Sequence, residues 1–250
     1  MLKAMDLDGK KALVTGGGKR IGKAIALALA DAGADVVVHY RSSAKEAEET
    51  AVAVRAAGRR SETAAMDLSD ENVVGSWFGD LSDRWGGIDI LVNSASEFPD
   101  DDYDGLTADA LGLSMAVHVL SPLRMMRRLG KTGRDACVVN ILDTRVIDRD
   151  AVHASYHLGK RGLFTLTKDM AAELAPKVRV NAVAPGLILP PAGKGEEWLE
   201  QLKETNPLGG HGSADDVADA VLYLVGARFV TGQVIFVDGG RHLKGSHYGY

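Results

Sequence analysis

The stretch "KKALVTGGGKRIGKAIALALADAGADVVVHYRSS", residues 10–43, decides the fold. It reads as an apolar strand, a glycine-rich turn, an Ala/Leu-rich helix and a second, β-branched strand. A turn placed between the end of a strand and the start of a helix lets backbone N–H groups approach an anionic ligand, which the helix N-terminus also favours. The spacing in "TGGGKRIG", residues 15–22, is not G-x-G-x-x-G; Gly16 and Gly22 fit a wider Thr-Gly-x-x-x-x-x-Gly pattern. Such turns also join strand to helix without any ligand, so this one does not decide function alone. Arg20 is its odd member, a large cation where backbone is expected to come close to a ligand.

Outward from this stretch, strand and helix signals alternate. Apolar or β-branched runs lie at 11–15, 35–40, 88–93, 136–142, 178–184 and 233–238, with a weaker one at 61–67. Helix-period stretches cover 20–32, 43–57, 70–85, 107–130, 154–175 and 214–226. Strands apolar on both faces and separated by helices predict a parallel sheet covered on each side, and right-handed crossovers make it doubly wound. The expectation is an α/β protein, a single domain over residues 1–250 with a seven-stranded parallel sheet flanked by helices. The irregular insert at 186–212, with a short helix near 196–205, is either a substrate lid or a surface excursion. The tail "RHLKGSHYGY", 241–250, reads as a flexible end or as an arm toward a neighbouring subunit.

Composition narrows the function. Hydrophobic residues make up 46% and charged residues 25%, which leaves no case for a disordered or fibrous chain. A formal charge of −5 argues against a nucleic-acid or anionic-membrane surface. The basic run "RMMRRLGK", 124–131, suits a helix C-terminus, and the acidic "EFPDDDYD", 97–104, suits a solvated loop. The single Cys137, in the apolar "DACVVNI", excludes an intramolecular disulfide and a cysteine-rich metal site and reads as a buried, inert thiol. No apolar run approaches the roughly 18 residues of a membrane span, and the start carries no signal-like segment. The expectation is a soluble cytoplasmic protein with no nucleic-acid, membrane or metal partner.

Two further segments carry chemistry. Dinucleotide sites that hold an unphosphorylated ribose place an acidic residue about 20 residues beyond the last glycine. Here "HYRSS", 39–43, offers Arg41 and Ser42 instead, a guanidinium fork and a hydroxyl that suit a 2′-phosphate and favour NADPH/NADP over the NAD pair. A surface arginine at a strand end is the plain alternative. Asp67, ending "AAMD", is placed to accept from the adenine amino group. In "ASYHLGK", Tyr156 and Lys160 stand four apart on one helix face. A free tyrosine has a pKa of about 10. The ammonium is expected to lower it, giving an acid that delivers a proton near neutral pH.

Together with "NSAS" (93–96), "VRVNAVAPG" (178–186) and "VTGQVIFVDGG" (230–240), these segments resemble the short-chain dehydrogenase/reductase family over residues 8–240. The resemblance implies a Rossmann-type domain, a nicotinamide cofactor and hydride transfer, with Tyr156 as proton donor and Lys160 gripping the nicotinamide ribose. It implies cofactor contacts at Gly16, Lys19, Arg20, Ile21, His39, Tyr40, Leu68, Asn93 and Ala95, with Pro185 and Gly186 beside the nicotinamide. It also implies a homotetramer, formed partly through the helix that carries Tyr156.

Three positions depart from the family pattern. The serine found about 13 residues before the tyrosine is Asp143, in "NILDTRVID"; the middle glycine of the turn is Arg20; and a helix asparagine that often supports a proton relay is His118, to which no role is assigned. A serine hydroxyl donates to a ketone oxygen as charge develops there. A carboxylate would repel that charge by roughly 4 kcal/mol at 4 Å in an effective dielectric of 20, and loss of an oxyanion donor costs about 10²–10³ in rate. A C=N bond in a ring bearing N–H donors meets no such obstacle, because the carboxylate accepts from the ring and helps keep the tyrosine protonated. A degraded site with an incidental acid is the plain alternative.

Lys19 and Arg20 in the turn, the set Asp143, Tyr156 and Lys160, and Phe98 after "NSAS" resemble the pteridine reductase branch of the family. That resemblance implies a pterin stacked between nicotinamide and Phe98. Arg20 would bridge cofactor phosphate and pterin edge with its side chain out over the cleft, and Ser96 would border both. The expected reaction is NADPH-dependent reduction of a dihydropterin or dihydrofolate-like ring to its tetrahydro form. The alternatives are a carbonyl or 3-oxoacyl thioester reductase and a non-catalytic NADP(H)-sensing regulator.

Overall fold

Seven strands form at the seven expected places: β1 (Lys11–Val14), β2 (Asp35–Tyr40), β3 (Ser61–Ala65), β4 (Ile90–Asn93), β5 (Ala136–Ile141), β6 (Val178–Pro185) and β7 (Val234–Val237). They come from a computed structural model that describes residues 6–150, 152–191 and 193–244. All pair in parallel in one sheet of order β3-β2-β1-β4-β5-β6-β7. The chain winds outward from β1 to β3 and then returns to lay β4 on the other side of β1, with Val14 registered on both Val38 and Val92. Ligands of such sheets bind beyond the strand C-termini at this switch point.

Alternation along the strands fills two layers. Ala12, Val14, Val36, Val38, Ile90 and Val92 pack on one face against α1 (Arg20–Asp31), α2 (Ala44–Ala56) and α8 (Ala214–Gly226). Leu13, Val37, Leu91 and Val138 pack on the other against α3 (Glu71–Arg84), α5 (Ser121–Gly130) and α6 (Ala154–Glu173). Burial on both faces is why the strands read as continuous apolar runs. Cys137 lies in the first layer, and burial raises its thiol pKa to about 11.

Two expectations are corrected. The stretch 107–130 is one helical run from Ala108 to Gly130 but not a uniform one: α4 (Ala108–Met115) leads into a π-turn at Ala116–Leu120, and α5 follows. Pro122, in the first turn of α5, has no N–H to give and crowds the preceding turn, so the ladder widens just before it. The acidic loop is not merely solvated. Asp101 Oδ1 accepts from the Ser155 N–H at 3.1 Å and the Asp101 carbonyl from the Ala154 N–H at 2.8 Å, which supplies the start of α6 with the acceptors its first turn lacks.

The insert at 186–212 contains α7 (Glu197–Leu202) and is pinned at its base by the Gly212 N–H on the Leu187 carbonyl. Of the tail, Arg241–Leu243 form a 3-10 turn on Asp238, and residues 245–250 lie outside the described residues. No helix among the described residues is long and apolar enough to cross a membrane.

Candidate active site

A cleft of about 590 Å³ opens at the strand C-termini, between the turn after β1, the ends of β4 and β5, α6 and the insert. Its floor is the glycine turn. A Cβ on Gly22 would overlap the Gly16 carbonyl, and one on Gly16 would sit 3.0 Å from the Ala95 Cα, so two backbones approach here as only glycines allow. His39 holds the turn from beneath. Its Nδ1 accepts from the Gly16 N–H at 3.1 Å and its Nε2–H donates to the Met66 carbonyl at 3.0 Å. Burial lowers its pKa to about 4, so the ring is neutral. His39 therefore touches the cleft with both nitrogens already committed to protein. Thr15 does the same for the opposite wall: its hydroxyl oxygen accepts from the N–H groups of Ser94 and Ala95 at 2.9 and 3.0 Å.

Arg20 has φ +52°, the only non-glycine residue with positive φ among the described residues. A side chain in this region costs about 1–2 kcal/mol, which explains why a small residue is expected at the position. Its guanidinium crosses the cleft mouth and donates to the Pro190 carbonyl of the insert at 2.8 Å. Neighbouring Lys19 lines the cleft but pairs with Glu46 at 2.7 Å, both half exposed.

Tyr40, Arg41 and Ser42 line the far end, with Arg41 and Ser42 exposed. Asp67 stands across from them. Its Oδ1 accepts from the Ser69 N–H and hydroxyl at 2.9 and 2.8 Å, and those bonds hold its pKa below the ordinary value. Ile21, Leu68, Ala95, Pro185 and Gly186 complete the walls. Asn93 does not belong with them. It is buried behind the wall, donating to Asn140 Oδ1 at 2.7 Å, while Asn140 donates to Thr167 at 3.0 Å. The carboxamide ties β4 to β5 and α6, a use that a strand-end asparagine does not announce in sequence.

The deep end gathers Asp143, Tyr156 and Lys160. The Tyr156 hydroxyl donates to Asp143 Oδ2 at 3.0 Å, and Asp143 Oδ1 accepts from the Arg145 N–H at 2.8 Å. Lys160 Nζ donates to the Ile141 carbonyl at 2.7 Å and lies 5.6 Å from the Tyr156 ring centroid. Burial lowers the Lys160 pKa to about 8, with the Asp143 charge opposing that shift. Tyr156 differs from expectation: burial first, and Asp143 second, push its pKa well above the ordinary value. The ammonium is spent on a backbone carbonyl, whereas the carboxylate touches the phenol directly. Phe98, 49% exposed, sets its ring edge-on to Tyr156 at 4.7 Å and against His153 at 3.8 Å.

At the site the structure gives His118 contacts where the sequence reading assigned it no role, and it adds residues that reading did not name. His118 sits in the π-turn with Nε2 2.9 Å from Ser96 Oγ, and Ser96 lines the cleft. The available signal for His118 was its position, where the family pattern has a helix asparagine. Arg145, paired with buried Asp150, and Arg241, whose guanidinium donates to Thr205 at 2.9 Å, also line the cleft; nothing in their sequence context marks them. Trp198 of α7 joins them from the insert.

Several known proteins are similar to this chain over most of its length. A family model described as enoyl-(acyl carrier protein) reductase matches residues 17–242. An uncharacterized oxidoreductase of Mycobacterium tuberculosis is 36% identical over 245 residues, covering 94% of this chain and 92% of that one. A 3-oxoacyl-[acyl-carrier-protein] reductase, FabG of Aggregatibacter actinomycetemcomitans, is 36% identical over 240 residues, covering 91% and 97%. The crystal structure of FolM alternative dihydrofolate reductase 1 from Brucella canis, complexed with NADP, superposes with a TM-score of 0.86 at 36% identity over 94% of this chain and 95% of that one.

Proposed function

The chain belongs to the short-chain dehydrogenase/reductase family of oxidoreductases, and from that premise we propose that it reduces a dihydropterin or dihydrofolate-like ring with NADPH. The observation that carries the substrate choice is the Tyr156 hydroxyl on Asp143 Oδ2 at 3.0 Å, deep in the cleft. The dihydrofolate reductase named in the FolM structure, 36% identical, supports it.

The cleft fits the dinucleotide. The close-packed Gly16 and Gly22 and the start of α1 suit its phosphates, and exposed Arg41 and Ser42 suit a 2′-phosphate. Asp67 keeps Oδ2 for the adenine amino group. When bound, NADPH supplies the hydride. The chain's residues manage the proton and the ring. Tyr156 stays protonated on Asp143 until the ring binds. Its hydroxyl then turns from Asp143 Oδ2 to the ring nitrogen beside the carbon being reduced and gives it the hydrogen, while the freed Oδ2 accepts a ring N–H. Lys160, cationic at neutral pH with a pKa of about 8, offsets the phenolate left behind. Asp143 accepts from ring N–H groups and orients the phenol. Phe98 offers an aromatic face for stacking, and Arg20, already spanning the cleft mouth, has donors left for the ring's polar edge. The insert that carries Trp198 and Pro191 closes the substrate side. The same reading carries a homotetramer, which sedimentation velocity tests.

NADPH oxidation by the purified chain against dihydropterins, dihydrofolate, 3-oxoacyl thioesters and simple ketones tests the assignment. Turnover of the first two supports it; turnover of ketones and thioesters alone overturns it. That second outcome is the competing reading, and the 36% identity to FabG favours it. The presence of both Tyr156 and Lys160 in the cleft favours catalysis over a purely cofactor-sensing role.

A further inference from the structure

His118 is 1% exposed, and its ring lies edge-on to Tyr156 with centroids 5.6 Å apart. Its Nδ1 is 3.1 Å from the Ser114 carbonyl and 3.0 Å from the Ser114 hydroxyl, while Nε2 is 2.9 Å from Ser96 Oγ. A carbonyl only accepts and a hydroxyl can do either, so a hydrogen on Nδ1 suits both Ser114 neighbours. A bare Nδ1 would suit the hydroxyl alone and face the carbonyl lone pair to lone pair; the geometry favours the Nδ1–H form. Burial, reinforced by the Lys160 charge, holds the imidazole neutral. Nε2 is then a bare acceptor in a buried place, and the Ser96 hydroxyl is the donor beside it. The Ser96 hydrogen is directed to the histidine in preference to the Glu97 carbonyl at 3.2 Å, because that choice alone leaves no buried acceptor unpaired. A Cβ on Gly159 would collide with Ser114 Oγ and His118 Nδ1, so α6 packs against this pair as closely as only a glycine allows.

We infer that His118 is a positioning residue that fixes Ser96 as a hydrogen-bond acceptor, so that this wall of the cleft selects a ring presenting an N–H donor to it. The identity of the ring rests on the pterin reading; the direction of the Ser96 hydrogen bond does not. A thioester or ketone oxygen, which only accepts, gains nothing from Ser96 in this state.

The test has two arms on the full chain saturated with NADP. Ring-nitrogen NMR of ¹⁵N-histidine protein, with His118 identified by loss of its signals in His118→Asn, is expected to show hydrogen on Nδ1 and a bare Nε2; hydrogen on Nε2 overturns the inference. Binding titrations then compare dihydropterin with its single-deaza counterparts, each carrying C–H for one ring nitrogen or N–H. Wild type is expected to lose about tenfold in affinity for one counterpart, a loss that Ser96→Ala abolishes. Dihydropterin binding with no such loss, or with the same loss in Ser96→Ala, overturns the inference and leaves the pterin reading standing. Failure of wild type to bind dihydropterin at all overturns the pterin reading and takes the ligand assignment with it.

Discussion

Tyr156 donates its hydroxyl to Asp143 Oδ2 at 3.0 Å, and the other carboxylate oxygen is held by the Arg145 N–H at 2.8 Å. Both oxygens of Asp143 thus act as acceptors, in the place where a ketone reductase needs a donor. Asp143→Ser is expected to lower dihydropterin turnover by about a hundredfold and to raise turnover of simple ketones, since a serine hydroxyl restores an oxyanion donor. Parallel NADPH oxidation assays check this; a variant with unchanged preference would sink the electrostatic argument for the substrate.

The same carboxylate acts on Lys160. Burial brings the ammonium down to a pKa of about 8, and the Asp143 charge works against that fall. In the free enzyme, kcat/KM is expected to decline above about pH 8 as Lys160 loses its charge. Removing the negative charge in Asp143→Asn withdraws the opposing influence, so the decline begins at lower pH. Full pH profiles of both proteins are the measurement, and a limb that stays in place argues that another group sets it.

His39 links acid stability to the cofactor turn. Its pKa falls from 6.5 to about 4 on folding, mainly through burial. Above pH 6.5 the imidazole is neutral in both folded and unfolded chains, and this contribution to stability is complete. Between there and about pH 4 the unfolded chain binds the proton first, so stability is lost, by roughly 3 kcal/mol in total. Urea unfolding is expected to show this slope in wild type and a shallower one in His39→Gln, which carries no titrating ring.

The seven strands were legible because both faces of the sheet are covered. Runs such as "DVVVHY" state their burial twice over, once per layer. The spacing of Tyr156 and Lys160 was legible because a helix puts them on one face. Directions of hydrogen bonds were not. That Asn93 turns toward Asn140, that Lys19 meets Glu46, and that His118 reaches Ser96 all depend on contacts between elements distant in sequence. The pKa of Tyr156 was misjudged for the same reason. Sequence reading set a pKa-lowering ammonium beside a carboxylate that helps keep the phenol protonated; which of the two prevails depends on the fold, where the phenol is buried and bonded directly to Asp143.

Arg41 and Ser42, both exposed at the end of β2, stand where a 2′-phosphate would distinguish the two dinucleotides. Charge-assisted bonds of this kind contribute about 1.5–3 kcal/mol. Arg41→Ala is therefore expected to weaken NADPH binding by roughly 10- to 100-fold and to leave NADH binding within about threefold. Fluorescence titration of each nucleotide decides it, and an equal loss for both would remove Arg41 from phosphate recognition.

Arg20 sets strain against function in a single residue. Its backbone sits at φ +52°, and its guanidinium reaches the Pro190 carbonyl at 2.8 Å. Arg20→Gly and Arg20→Ala both delete that contact, but only the glycine is at ease in the left-handed region. The glycine variant is expected to be more stable than the alanine variant by about 1 kcal/mol, because alanine keeps the strain that glycine relieves. Both are expected to lose the same fraction of dihydropterin affinity, since neither can bridge the cleft mouth. Thermal unfolding with substrate titration on the same two proteins separates the effects. Equal stabilities would mean that the turn relaxes around alanine, and full affinity in either variant would mean that the bridge across the cleft carries no part of substrate recognition.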